Sequence, residues 1–167
     1  EIVSYGRARE KELNKNIRFT LTTNGALIDE DVIDFINSEI SNIVLSIDGR
    51  REVHDAMRTF VDGSGTYDTI LPKYKKLVES RNGREYYVRG TFTAKNLDFA
   101  SDVMHLADQG FGEISVEPVV LKDSEEYALK KEHLPQIFAQ YELLANQLVE
   151  REKQGRGVDF FHFMVDL

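Results

Sequence analysis

The chain has 167 residues, 41% of them apolar, which is enough for one globular domain that buries about 70% of its unfolded surface. Its net charge of −8 argues against a nucleic-acid partner, because nothing supplies a basic footprint. No apolar run approaches the ~18–20 residues of a membrane span, and no segment resembles a signal peptide, so we expect a soluble, cytoplasmic protein without membrane contact. The sequence has no cysteine, which excludes disulfides and leaves no thiolate for iron–sulfur ligation or nucleophilic catalysis.

Strand-like and helix-like stretches alternate along the chain. Strands are predicted at about 17–23, 42–48, 86–93 and 113–119, and helices around 32–36, 70–78, 99–106 and 132–154. Pro72 is expected in or near the first turn of its helix, and Gly110 and Gly155 are expected to end the last two helices. This alternation predicts an α/β fold with right-handed crossovers and a parallel sheet.

The predicted strands alternate apolar and polar side chains, whereas strands covered by helices on both faces should be apolar throughout. One face is apolar and the other becomes more polar toward the strand ends. The apolar set is Ile17, Phe19, Leu21, Ile43, Leu45, Ile47, Tyr86, Val88, Phe92, Ile114 and Val116, and the opposite set includes Thr20, Thr22, Val44, Ser46, Asp48, Tyr87, Arg89, Thr91, Ser115 and Glu117. Two interpretations stay open: a barrel-like sheet that encloses a polar ligand at its carboxyl edge, or an open sheet with a solvated face.

Four motifs carry a family resemblance: FTLTTNG at 19–25, SIDG at 46–49, HDAMR at 54–58 and ISVEPVV at 114–120. Together they resemble the central part of radical SAM enzymes of the SPASM group. Among these, the thioether-forming maturases of six-cysteine peptides are the most similar, followed by the anaerobic sulfatase-maturating enzymes. The resemblance implies a partial (β/α)6 barrel in which the chain supplies about strands three to six. It also implies a protein that cleaves S-adenosylmethionine (AdoMet) on a 4Fe–4S cluster, and a 5'-deoxyadenosyl radical that abstracts hydrogen from a cysteine-rich precursor peptide.

Carried onto these residues, the resemblance makes Ser46 and Asp48 contacts to the AdoMet ribose, with helix capping as the alternative. Arg58 or Arg89 would hold the cofactor carboxylate, because a guanidinium offers a planar pair of donors to two oxygens. The alternative for these arginines is an ion pair with Asp55 or Glu117.

Other polar residues receive less direct assignments. Glu117 is a candidate cofactor or substrate contact, or else a buried acid paired with Arg89. Asn24 is also a cofactor-binding candidate and is expected to close the TTNG turn. His54 and Asp55 are expected to brace the turn after SIDG. The three remaining histidines show no metal-ligand spacing and are interpreted as structural: His105, His133 and His162.

The chain also departs from the family pattern. It lacks the CxxxCxxC cluster loop, the GGE motif and the cysteine-rich auxiliary region. It opens without methionine and ends on the apolar run FFHFMVDL, so we expect residues 1–167 to be one barrel domain truncated at both ends. We expect the AdoMet and the cluster to be bound by the parent protein and not by this piece, which would be inert alone. The competing hypothesis is a non-catalytic α/β module for peptide recognition or scaffolding.

Overall fold

The computed structural model describes residues 1–163. Short 3-10 turns lie at Lys131–His133 and Phe161–Phe163. The helices and strands follow in the order α1 (Ile2–Leu13), β1 (Thr20–Thr23), α2 (Glu30–Glu39), β2 (Asn42–Ser46), α3 (Arg51–Met57), α4 (Tyr67–Ser80), β3 (Tyr86–Phe92), α5 (Phe99–Asp108), β4 (Glu113–Pro118), α6 (Leu134–Lys153) and β5 (Asp159–Phe160).

The five strands form one parallel sheet in the order β1-β2-β3-β4-β5. The four predicted strands are present, with shorter bounds than the sequence indicated. The fifth strand was missed because only two of its residues pair, through Asp159 beside Glu113 and Phe160 beside Ile114. Short α3 was also not predicted, since seven residues give too little apolar periodicity.

Local signals explain where the helices begin and end. Asp29 caps α2 by accepting a hydrogen bond from the Val32 amide at 3.0 Å. Gly110 and Gly155 follow α5 and α6 with φ of 96° and 69°, the left-handed conformation in which glycine avoids a steric penalty. Pro72 lies one turn deeper in α4 than expected, as its sixth residue. The helix continues past it because Ile70 and Tyr74 are fully buried.

One core lies between the sheet and helices α2, α4, α5 and α6. Alternate strand residues supply its sheet side, and Ile43, Leu45, Ile47 and Val88 are fully buried there. Helix residues such as Leu77 pack against the same face. The predicted apolar face is therefore the one that the helices cover. No helix within residues 1–163 combines the length and the apolar character needed to cross a membrane.

Candidate functional site at the carboxyl edge of the sheet

The opposite face of the sheet carries two rows of polar side chains. The strand register aligns Ser46 with Arg89 and Arg89 with Ser115, and one step nearer the carboxyl edge it aligns Thr91 with Glu117. Partners in a parallel ladder point to the same face, so each row runs across neighbouring strands. This arrangement confirms the separation of faces predicted from the alternation.

Arg89 and Glu117 form an ion pair across the two rows. Arg89 Nη2 lies 3.0 Å from Glu117 Oε2, and the side chains are 45% and 34% exposed. The hydroxyl of Ser115 donates to the other Glu117 oxygen at 3.3 Å. The predicted alternative for Arg89 is thus present. An exposed pair of this kind contributes about 0–1 kcal/mol to stability, so a ligand can displace it at little cost.

Asp48 and Arg58 form a second, more buried pair just after β2. Arg58 donates from Nε to Asp48 Oδ2 at 2.6 Å and from Nη2 to Oδ1 at 3.0 Å. The Thr91 amide also donates to Asp48 Oδ1, at 3.1 Å. The Asp48 side chain is 4% exposed and that of Arg58 is 35% exposed. The hydrogen bonds and charge of Asp48 raise the pKa of Arg58.

The expected ion-pair partner of Arg58 was Asp55 or Glu117, and the structure shows Asp48 instead. Asp55 accepts a hydrogen bond from the Tyr67 amide at 2.9 Å, at the start of α4. Gly65 approaches the same carboxylate so closely that a Cβ there would lie 2.2 Å from Asp55 Cγ. Asp55 therefore fixes the connection between α3 and α4, which agrees with the bracing role predicted for it.

His54 is fully buried and links the same segments. Its Nδ1 accepts from the Asp48 amide at 3.2 Å, and its Nε2 lies 2.9 Å from Thr66 Oγ1. The Thr66 hydroxyl donates to the Arg58 carbonyl at 3.0 Å, so its oxygen is left to accept from His54 Nε2–H. These contacts assign the neutral Nε2–H tautomer to His54. Burial is the main cause that lowers its pKa, with Asp48 and Asp55 opposing the shift and Arg58 adding to it.

Lowering the pH from 7 to 5 is expected to destabilise the protein partly through His54. Because burial depresses its folded-state pKa below 6.5, the unfolded chain takes up the proton first. The contribution of neutral His54 to the free energy of unfolding is present above about pH 6.5. It is lost as the pH falls, at up to about 1.4 kcal/mol per pH unit. Urea unfolding across this range should give a shallower pH dependence for His54→Gln than for the unmodified chain. Burial also lowers the pKa of His105, so His105→Gln is the control. An equal pH dependence of the free energy of unfolding with and without His54 would contradict the prediction.

The TTNG turn follows β1 at the same edge. Asn24 Oδ1 accepts from the Ala26 amide at 3.3 Å, and Gly25 has a φ of 78°. Asn24 thus closes the turn as predicted, while its assignment to the cofactor stays a prediction.

The Tyr74 hydroxyl lies 3.2 Å from the Thr23 carbonyl and 3.1 Å from the Ser46 carbonyl. Helix α4 therefore ties the ends of β1 and β2 together, and burial raises the pKa of Tyr74.

A cavity of about 240 Å³ opens at this edge. Its lining brings the Asp48–Arg58 pair together with residues from the ends of β3 and β4. Ser46, Arg89 and Glu117 lie on the adjoining sheet face, and Asn24 follows the outer strand. The lining residues are Asp48, Met57, Arg58, Thr91, Thr93 and Val119.

Several residues of the site were not found by sequence analysis. Thr66 and Asn96 act through side-chain hydrogen bonds that no spacing rule indicates. Thr91 was placed on the polar face, but the contact of its amide to Asp48 was not predicted. Tyr74 lies in the helix predicted around 70–78, and nothing in that prediction indicates the contacts of its hydroxyl. The one available signal was the threonine directly before α4, a residue type common at helix starts.

Comparisons with known proteins agree on the fold. No family model matches the chain. A cysteine-type anaerobic sulfatase-maturating enzyme of Clostridium novyi is 31% identical over 64 residues, which cover 38% of this chain and 17% of that enzyme. The structure of native anSMEcpe with bound AdoMet matches 94% of this chain at a TM-score of 0.78 and 20% identity, covering 43% of its own length. The chain therefore spans less than half of anSMEcpe.

Two further solved structures extend the comparison. Native anSMEcpe with bound AdoMet and a peptide matches at a TM-score of 0.79 and 20% identity, over 94% of this chain and 44% of its own. A domain of pyruvate-formate lyase-activating enzyme from Bacteroides vulgatus matches at 0.51 and 14% identity, over 91% of this chain and 84% of its own. The resemblance to anaerobic sulfatase-maturating enzymes and the partial-barrel fold class are both confirmed.

Proposed function

We propose that this chain is the central part of a radical SAM peptide maturase, an iron–sulfur oxidoreductase that cleaves AdoMet reductively. The observation that carries the proposal is the open polar face at the carboxyl edge of the sheet. It lies within a fold that matches AdoMet-bound anSMEcpe over 94% of the chain. Ligands of open α/β sheets bind at this edge, because the loops that follow the strands converge there.

The polar face fits part of an AdoMet molecule. The Ser46 hydroxyl is suited to a ribose hydroxyl, and the exposed Arg89 guanidinium is suited to the methionine carboxylate. Asp48 already accepts three hydrogen bonds, so we assign it to supporting the site through Arg58 and Thr91. Glu117 and Asn24 remain proposed contacts. AdoMet in such a site supplies hydrogen-atom abstraction, and the part of these residues is to bind and orient it.

The residues present do not fit an iron–sulfur cluster. The sequence has no cysteine, and residues 1–163 contain no group of three or more acidic or histidine side chains placed to hold a metal ion. Cluster ligands in the proposed enzyme would therefore come from outside this chain. We propose that residues 1–167 form one truncated barrel domain, inert by itself.

Arg89→Leu is expected to weaken AdoMet binding by the complete, cluster-loaded enzyme about 10- to 100-fold, since a charge-assisted contact contributes ~1.5–3 kcal/mol. Stability should change little, because Arg89 is exposed and its pair with Glu117 is weak. Equilibrium binding under anaerobic conditions measures the affinity, and thermal melting measures the stability.

Arg18→Leu provides the matched control for this test. Arg18 is also exposed and paired with a glutamate, Glu85, but it lies before β1 at the other edge of the sheet. It should leave AdoMet affinity unchanged. If Arg89→Leu binds AdoMet as tightly as the unmodified enzyme does, Arg89 is not part of the site. If the unmodified enzyme does not bind AdoMet, the proposed function is refuted.

The proposed substrate is a ribosomally made, cysteine-rich precursor peptide in which a thioether crosslink is formed. Its support is the motif resemblance together with the peptide bound to anSMEcpe alongside AdoMet.

The absence of cysteine favours one other candidate, a non-catalytic module for peptide recognition or scaffolding. Peptide binding by the complete protein without any affinity for AdoMet would favour that candidate. The cytoplasmic location stays a prediction.

A further inference from the structure

Asp102 is a fully buried carboxylate on α5, far along the chain from the SIDG motif it contacts. Its Oδ1 accepts from the Arg50 amide at 3.0 Å and from Arg50 Nε at 2.8 Å. Its Oδ2 accepts from Asn96 Nδ2 at 3.3 Å. A charge is buried at this depth only when it is paired and hydrogen-bonded, so the contacts to Arg50 and Asn96 decide where Asp102 can lie.

Gly49 packs directly on the same carboxylate. A Cβ atom at position 49 would lie 2.3 Å from the Asp102 Cβ and 2.5 Å from its Oδ1. Gly49 also has a φ of 142°, a conformation that residues with a side chain rarely adopt. The backbone that follows Asp48 is thus held against α5 by close packing as well as by hydrogen bonds.

Asp102 also reaches the end of β3. Asn96, which donates to Asp102, accepts through Oδ1 from the Thr93 amide at 2.8 Å and the Thr93 hydroxyl at 3.0 Å. Thr93 lines the cavity beside Asp48. One buried carboxylate therefore connects the segments that follow two neighbouring strands, both of which border the candidate site.

We infer that Asp102 is a positioning residue of the carboxyl-edge site, which sets Asp48 and Ser46 in place through Gly49 and Arg50. Asp102 itself touches neither the cavity nor the polar rows. Its action passes through the backbone at 49–50, which fixes where the Asp48 carboxylate meets Arg58 and the Thr91 amide. That the ligand positioned in this way is AdoMet rests on the proposed function.

Two backbone amides report the position of Asp48 directly. The Thr91 amide donates to the Asp48 carboxylate and the Asp48 amide donates to His54 Nδ1. If Asp102 holds the segment, Asp102→Asn should accelerate hydrogen exchange at both amides by on the order of tenfold or more. The Leu45 amide in the core strand serves as the reference for global opening.

Asp108→Asn is the matched control, since Asp108 lies on the same helix but away from the site. Its carboxylate forms an ion pair with Arg151 at a distance of 2.5 Å. It removes an ion pair of α5 without touching 49–50, so any loss of protection should follow global stability alone. Arg50→Gln is the second variant in case Asp102→Asn does not fold. It keeps the backbone contact to Asp102 and should give a smaller, local effect at the same two amides.

The second measurement is AdoMet affinity in the complete, cluster-loaded enzyme. Asp102→Asn should raise the dissociation constant on the order of tenfold while Asp108→Asn leaves it unchanged. Exchange that rises equally at Leu45, Asp48 and Thr91 in both aspartate variants would overturn the inference and leave a purely structural role. If the unmodified enzyme does not bind AdoMet, the proposed function fails, but the exchange comparison still decides what Asp102 does.

Discussion

Ile47→Ala is expected to lower the free energy of unfolding by about 2–5 kcal/mol, because it opens a cavity in a core that does not fully collapse around it. Ile47 follows β2, is fully buried, and belongs to the cluster formed with the covering helices. Its amide also donates to the Arg89 carbonyl at 2.9 Å, so the backbone around the new cavity is fixed. Urea unfolding of the 167-residue chain measures the loss.

Ser46→Ala is the neighbouring control on the polar face. The Ser46 side chain is half-buried, and its removal deletes one hydroxyl without opening the core, so the cost should be well under 1 kcal/mol. Equal losses from the two substitutions would mean that both faces are packed alike. The division of the sheet into a covered face and a ligand face would then be wrong.

Arg58→Leu is expected to cost about 3 kcal/mol of stability, the lower end of the range for breaking a buried pair, since Arg58 itself is one-third exposed. An arginine that only contacted a ligand would leave stability unchanged. The difference arises from Asp48, whose nearly inaccessible carboxylate would lose its charged partner and two of its donors. Thermal and urea unfolding without ligand measure the effect.

The double variant Asp48→Asn, Arg58→Leu separates the lost pair from the charge left behind. Asparagine removes that charge and still accepts from the Thr91 amide, so the double variant should be more stable than Arg58→Leu alone. A double variant no more stable than the single one would show that the cost comes from lost packing of the Arg58 side chain.

The sheet and its two faces could be predicted because both depend on local alternation. Period-two patterning in 42–48 and 86–93 assigns each side chain to a face before any contact is known. The same pattern predicted that polar side chains gather at the carboxyl edge, since parallel strands must end there together. Elements that are too short for a period, such as α3 and β5, gave no such signal.

The partners within the site could not be predicted, because they depend on side-chain directions across long sequence separations. Arg58 lies close to Asp55 in sequence, yet its side chain reaches back to Asp48 while Asp55 caps α4. Asp102 stands next to the apolar stripe of α5, and nothing in that stripe indicates a buried acid that contacts a loop 52 residues away. Burial and hydrogen bonding at these positions are settled by tertiary packing alone.

The order of strands in the sheet is also their order in the chain, and this has a consequence for synthesis on the ribosome. Each new strand from β2 onward pairs with one that has already been made, so assembly of these five strands can advance from β1 without waiting for later segments. Among the strands of residues 1–163, none has to be inserted between two that are already paired. We therefore expect truncations from the carboxyl end to leave native-like intermediates only while three or more strands remain, whereas loss of β1 and α2 removes the template on which β2 is added.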